Sequence, residues 1–343
     1  MTKKKNYGMN IDFNSYGLCP AGSYLDGAGG LQGRIAEAER AAKKLLEEME
    51  GQDVLSPQAP KTTAEKSPEK PNLDKLLEEL DSLVGLDKIK QNVRSLINLA
   101  KVRKLREEQG MPIPTMSLHL VFMGNPGTGK TTVARLIAQL YYAIGVLSKG
   151  QLVEVDRSGL VAGFVGQTAT KTAEAVKKAI GGVLFVDEAY SLVSAEGAND
   201  FGHEAIETIL KAMEDNRNDL VVIVAGYEEL MEKFIESNPG LESRFNRYFV
   251  FEDYTGNQLY EIFASMCHKN QYQLDTEAEA FSRRFFHDLY DTRDENFGNA
   301  RYVRNVFENM IYVHSDRVAA LESLTKEDLI KVIRQDVEKA SEM

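Results

Sequence analysis

The sequence predicts a doubly wound α/β domain of about five parallel strands, followed by a small all-helical module. Three observations carry that reading. Short apolar runs at 118–123, 152–155, 183–186, 220–225 and 248–251 alternate with helical stretches, as strands covered by helices on both faces do. A glycine-rich loop directly follows the first run and opens a helix. Beyond Asp253 the strand signal vanishes and helical periodicity takes over.

Composition sets the outer bounds. The chain has 343 residues, 43% hydrophobic and 27% charged, enough to build a core and unlike a fibrous or wholly disordered chain. No apolar run approaches the roughly 18 residues of a spanning helix. The basic start, Met1 to Lys5, is followed by no apolar segment, so a signal peptide is not expected. Two cysteines, Cys19 and Cys267, offer neither a disulfide framework nor metal-ligand spacing, which points to a reducing, cytoplasmic setting. A formal net charge of -11 disfavours a broad basic face for nucleic acid.

The first segment, residues 1–72, reads as an arm. It is rich in Gly, Asn, Ser and Tyr, carries one helical pattern over Leu31–Met49, and ends in a Pro-punctuated linker. It serves either as a flexible extension or as a docking segment that folds on a partner through Tyr7, Phe13, Tyr16 and Tyr24. Residues 73–254 form the α/β domain, with helices expected at 131–142, 169–180, 204–213 and 229–236. Residues 255–343 form the helical module, with helices expected at 258–268, 276–289, 300–320 and 326–340.

Chemistry concentrates after the first strand. Gly124-Asn125-Pro126-Gly127-Thr128-Gly129-Lys130-Thr131, with Thr132 next, matches the phosphate-loop pattern. Glycines there let successive amides turn inward as an anion nest, and the following helix aims its N-terminus at the phosphates. Lys130 is placed to contact the β- and γ-phosphates of a nucleotide, and the Thr131 hydroxyl to ligate Mg²⁺. The run Val183–Val186 ends in Asp187 and Glu188, which a parallel sheet presents at its ligand crevice. Asp187 suits the Mg²⁺ shell, and Glu188 suits polarising a water.

Seven blocks in this order resemble the AAA+ ATPases, and within them the CbxX/CfxQ group that includes the stage V sporulation protein K family. They are Leu83–Leu86, the phosphate loop, Gly163–Ala169, Asp187–Tyr190, Val224–Tyr227, Asn238–Phe245 and Gly298–Arg301. The resemblance spans roughly residues 77–337. It implies ATP bound between the α/β domain and a helical lid, at a subunit boundary of a ring, usually a hexamer. By the same resemblance Val84 and Gly85 line the adenine pocket, and Arg301 is the lid arginine that senses the γ-phosphate. Arg244 matches the arginine finger given to the neighbouring subunit's site, a planar permanent cation suited to transition-state charge. Phe164, Val165 and Gly166 match a pore loop that grips an extended polypeptide client. Many relatives end the fourth strand with a polar sensor, and here Tyr227 and Glu228 both stand at that place.

The function these features imply is a ring-forming, Mg²⁺-dependent ATPase that remodels or threads a protein client. A nucleotide-gated assembly platform without threading is the alternative, and a DNA-acting loader is the third reading, opposed by the acidic balance. Of the five histidines, His119 sits in an apolar strand run and is expected to be a satisfied core residue, and none pairs as a zinc site. The basic cluster from Lys101 to Arg106 is expected to be a solvated helix face.

Overall fold

A computed structural model describes residues 70–113, 116–164, 166–193 and 201–343. The arm helix expected over 31–49, the Pro-rich linker and Val165 therefore lie outside the described residues.

Two helices come first. Helix α1 (Leu73–Ser82) starts at Asn72, whose side chain accepts the Asp74 amide at 2.8 Å. It buries Leu76 and Leu80 against the helix that follows β1, and α2 (Asp87–Glu108) covers the same face of the sheet with Ile89, Val93, Leu96 and Ile97. Next come β1 (Leu120–Gly124), α3 (Lys130–Ile144), β2 (Leu152–Val155), the single turn α4 (Arg157–Leu160), α5 (Thr168–Ala179) and β3 (Val183–Val186). After a 3₁₀ turn at Ala189–Leu192 follow α6 (Gly202–Asp215), β4 (Val221–Gly226), α7 (Glu228–Glu236), α8 (Pro239–Arg244) and β5 (Tyr248–Phe251).

The five strands pair in parallel, as the alternation of apolar runs and helices predicts, and the structure sets their order as β2-β3-β4-β1-β5. β3 and β4 are buried at every position, so both of their faces are covered. One core, built on Phe122, Phe185, Ile223 and Phe251, packs against α1, α2 and α3. The second, built on Val121, Leu184, Val222 and Val224, packs against α5, α6 and α7. Residues alternate between the two cores along each strand because successive side chains point to opposite faces. With β1 and β3 running the same way, the loops after them open on one edge of the sheet.

The C-terminal module has its own core around Phe263, Phe286, Phe307 and Met310. Its elements are α9 (Gly256–Lys269), β6 (Gln273–Leu274), α10 (Thr276–Asp291), α11 (Ala300–Ala319), α12 (Lys326–Ile330), β7 (Lys331–Val332) and α13 (Arg334–Ser341). Thr255 and Gln258 close a reciprocal capping box on α9. Two expectations are corrected here. The module is not wholly helical, since β6 and β7 pair in parallel, and the helix expected over 326–340 is broken in two. The β-branched residues Val332 and Ile333 favour extended backbone, and Val332 is fully buried there. Asp336, at the start of α13, is almost wholly buried and accepts two hydrogen bonds of 2.8 Å from Arg317 of α11. The planar fork of Arg317 thereby fixes α13 on α11.

Candidate active site

A cavity of about 480 Å³ opens at the C-terminal edge of the sheet, between the α/β layers and the helical module. The phosphate loop forms its floor. Gly127 has φ +73°, and a Cβ there would fall 2.2 Å from the Gly298 carbonyl oxygen, so the loop can approach the helical module only because this residue is glycine. Helix α3 begins at Lys130, and the amides of Lys130, Thr131 and Thr132 have no carbonyl one turn back to bond. Those donors and the positive end of the helix are available to an anion.

Gly124, Pro126, Gly127, Gly129, Lys130, Thr131 and Thr132 line this cavity. The side chains of Asn125 and Thr128 are engaged within the protein instead. Asn125 Nδ2 donates to Asp253 at 3.0 Å, and Thr128 Oγ1 donates to the Asn125 carbonyl at 2.8 Å. Lys130 Nζ donates at 2.7 Å to the carbonyl oxygens of both Gly124 and Asn125, which aims the ammonium across the loop. Burial pushes its pKa down to about 8, against the pull of Asp187, Asp253 and Glu188 and with a further push from Arg301. A buried cation with this deficit gains from a phosphate placed beside it.

Asp187 and Glu188 stand at the cavity wall where β3 ends. Glu188 has φ +48°, a left-handed conformation uncommon for a residue with a side chain, and its amide donates to Asp187 Oδ1 at 3.0 Å. The sharp bend turns the chain from β3 into the 3₁₀ segment right at the two carboxylates. Among the described residues there is no group of three or more His, Cys, Asp or Glu that could hold a metal unaided. The Thr131 hydroxyl with Asp187 is a hard-oxygen donor set, which fits Mg²⁺ in the company of phosphate oxygens.

The remaining walls come from elsewhere. Leu83, Val84 and Leu86, from the turn between α1 and α2, line one side. Gly85 has φ +60°, and its α-carbon faces Gln258 of α9 so closely that a Cβ would fall 2.6 Å from that side chain. Arg301 and Arg304 reach in from the first turns of α11, while Ile262, Ser265, Met266 and Lys269 come from α9. At the end of β4 it is Gly226 and Tyr227 that line the cavity, with the Tyr227 ring 6.1 Å from that of Tyr190. Glu228 is in the first turn of α7.

Sequence reasoning missed Arg304, Tyr254 and the inward stripe of α9. Arg304 was legible as the residue one turn beyond Arg301. The α9 stripe Ile262, Ser265, Met266, Lys269 follows the same three-and-four spacing. Tyr254 gave no sequence signal; its hydroxyl donates to the Thr128 carbonyl at 3.2 Å, and burial pushes its pKa up to about 12.

Arg244 is not in the cavity. It closes α8 just before β5, at the edge where β1 and β5 begin, and the Ser117 hydroxyl donates to its carbonyl at 2.6 Å. Its guanidinium lies 3.7 Å from Glu214 and donates to the Gly240 carbonyl at 3.3 Å. Phe164, in the loop between α4 and α5, is 72% exposed, and a Cβ added at Gly166 would meet open space. His119 is buried and bonded, as expected, and burial with the charge of Arg244 lowers its pKa to about 4.

Comparison with known proteins gives the family and the fold. A family model described as ATPase family associated with various cellular activities (AAA) matches residues 120–253, and one described as AAA lid domain matches residues 255–343. Stage V sporulation protein K of Bacillus subtilis (strain 168) is 41% identical over 266 residues, which cover 77% of this chain and 82% of that protein. The chloroplastic ribulose bisphosphate carboxylase/oxygenase activase of Cyanidioschyzon merolae is 39% identical over 271 residues, covering 78% of this chain and 92% of that one. Among solved structures, the FIGL-1 AAA domain in complex with ADP matches with a TM-score of 0.54 at 17% identity, over 80% of this chain and 92% of that chain. At that identity the likeness is one of fold.

Proposed function

The chain belongs to the AAA ATPase family, in the group of stage V sporulation protein K and CbxX, and is an ATP hydrolase; from that premise we propose a hexameric ring that remodels a protein client through its central pore. The observation that carries the reading is the separation of Arg244 from the cavity of its own chain. The phosphate loop leaves the C-terminal end of β1, whereas Arg244 sits where β1 and its parallel neighbour β5 begin. A five-residue strand spans about 16 Å, beyond the reach of one arginine side chain. Arg244 therefore serves a second copy. Head-to-tail contacts of that kind close into a ring when the rotation between copies closes.

Within one protomer, Lys130 and the amides at the start of α3 bind the phosphates, and Arg301 meets the γ-phosphate from the lid. Val84 and Gly85 hold the adenine end. Gly124, Asn125, Pro126, Gly127, Thr128, Gly129 and Thr132 complete the cradle, Asn125 and Thr128 through backbone. Thr131 and Asp187 would hold Mg²⁺, which supplies charge neutralisation on the phosphate oxygens. Glu188 orients the attacking water and draws off its proton. Tyr227, facing the cavity, is the polar group at the end of β4 that completes the site. Delivery of Arg244 to the next copy requires its half-buried guanidinium to leave Glu214, 3.7 Å away, and the Gly240 carbonyl.

The client is a protein. Phe164 on its Gly-flanked loop offers an apolar grip without sequence preference. A relative named as the activase of another enzyme supports that class. The division into an arm at 1–72, an α/β domain at 73–254 and a lid at 255–343 belongs to the same proposal, as does a cytoplasmic location. No helix among the described residues is long and apolar enough to cross a membrane. The deciding assay is phosphate release from ATP and Mg²⁺ by the purified full chain, with Lys130→Ala as the control that binds no nucleotide. Absence of release at every protein concentration tried would sink the reading.

A further inference from the structure

Asn299 is fully buried behind the cavity, immediately before α11, with φ +47° and ψ −128°. Side chains seldom tolerate that conformation, and it persists only where surrounding contacts over-determine it. Here they do. Asn299 Nδ2 donates to Asp253 Oδ1 at 2.7 Å, to the Phe297 carbonyl at 3.0 Å, and more distantly to the Pro126 carbonyl at 3.4 Å. Its Oδ1 accepts the Tyr254 amide at 2.9 Å.

The partners of Asn299 come from three separate segments. Asp253 also accepts from Asn125 Nδ2 at 3.0 Å and lies 3.5 Å from Arg293 Nε. The Ala300 amide donates to the Gly127 carbonyl at 3.2 Å. The phosphate loop, the chain leaving β5 and the start of α11 thus share one buried hydrogen-bond network, with Asn299 at its centre. Replacing Asn299 by an apolar residue strands the Tyr254 amide without its acceptor and removes a donor from Asp253. Arg301 follows two residues later and Arg304 one turn beyond, so their direction depends on how α11 is anchored.

We propose that Asn299 is a positioning residue that ties the phosphate loop to the lid, so that the loop and the two lid arginines present themselves to the nucleotide as one unit. The proposal rests on the reading of the cavity as the ATP site. Asn299 itself touches no substrate; it acts through Asp253, the loop carbonyls and α11.

The test uses the full-length protein and begins without nucleotide. Glycine accepts this backbone conformation, so Asn299→Gly removes the hydrogen bonds without adding strain. Amide hydrogen exchange is expected to rise about tenfold in residues 124–131 and 297–304 together, while residues 183–186 stay protected. The affinity for a fluorescent ATP analogue is expected to weaken about tenfold, the loss that one or two buried hydrogen bonds produce. Exchange that rises in 297–304 alone, with affinity unchanged, would make Asn299 a local helix cap and overturn the proposal. Asn299→Asp places two carboxylates together and should weaken affinity further; combining it with Asp253→Asn restores a donor between them. The pair should recover at least half of the lost affinity, and a pair no better than the worse single variant also overturns the proposal. Should the wild type bind no ATP analogue, the reading of the cavity fails, while the exchange pattern still decides whether loop and lid are tied.

Discussion

His119 Nδ1 accepts the Val222 amide at 3.0 Å, which joins the approach to β1 to the middle of the α/β sheet through a neutral imidazole. Its pKa of about 4 lies below the ordinary 6.5, first because it is buried and second because Arg244 is near. The unfolded chain therefore takes up this proton before the folded one does. The stabilisation is complete above pH 6.5 and is lost as the pH falls toward 4, by at most about 1.4 kcal/mol per pH unit. Thermal melts of wild type and His119→Gln across that window should diverge, the wild type falling more steeply. Parallel curves would show that His119 does not titrate as described.

Lys130 makes nucleotide binding pH-dependent in a defined direction. Burial holds it near 8 in the free protein, and phosphate beside the ammonium must raise that value. Binding above pH 8 accordingly takes up a proton, and affinity falls by up to about tenfold per pH unit there. Calorimetry in two buffers of different ionisation enthalpy measures the uptake. Equal binding heats in both buffers at pH 8.5 would contradict it.

Two inactive proteins should rescue each other. Glu188→Gln is expected to bind ATP yet turn over about 10² to 10⁴ times more slowly, as loss of a general base does. Lys130→Ala is expected to lose ATP binding, and Arg244→Ala to bind ATP without hydrolysing it if the proposed ring forms. Mixed together, the Lys130→Ala and Arg244→Ala chains form seams in which one supplies the intact cradle's partner arginine. A measurable return of phosphate release on mixing supports delivery in trans. Full activity of Arg244→Ala alone removes the finger assignment.

Phe164 separates energy use from client work. It lies outside the cavity and is 72% exposed, so Phe164→Ala should abolish client remodelling and leave ATP hydrolysis within about twofold. Clients captured by Glu188→Gln with ATP provide the substrate for that measurement. Remodelling that survives the substitution would favour the gated platform over threading.

Much of the core was legible because its signals are local. Parallel strands covered on both faces appear as unbroken apolar runs, and all five runs became strands within two residues of the expected bounds. The phosphate loop, Asp187 and Glu188 stood out because each directly follows an apolar strand run, whereas Arg301 was named only through the resemblance. The lid was read less well. Val332 pairs with Leu274, far away in the chain, and a two-residue pairing of that kind leaves no periodicity to detect.

Sequence alone determined which residues could meet a phosphate and in what order the layers would form, since periodicity and glycine spacing are properties of neighbouring residues. Only the tertiary structure decided that Arg244 lies at the sheet edge away from its own cavity, and that Tyr227 rather than Glu228 lines it. The same holds for Asn299, which gathers Asp253, Tyr254 and Pro126 behind the phosphate loop. Such relations depend on chain segments brought together by packing, and the energy of a buried hydrogen bond depends on where its partner ends up.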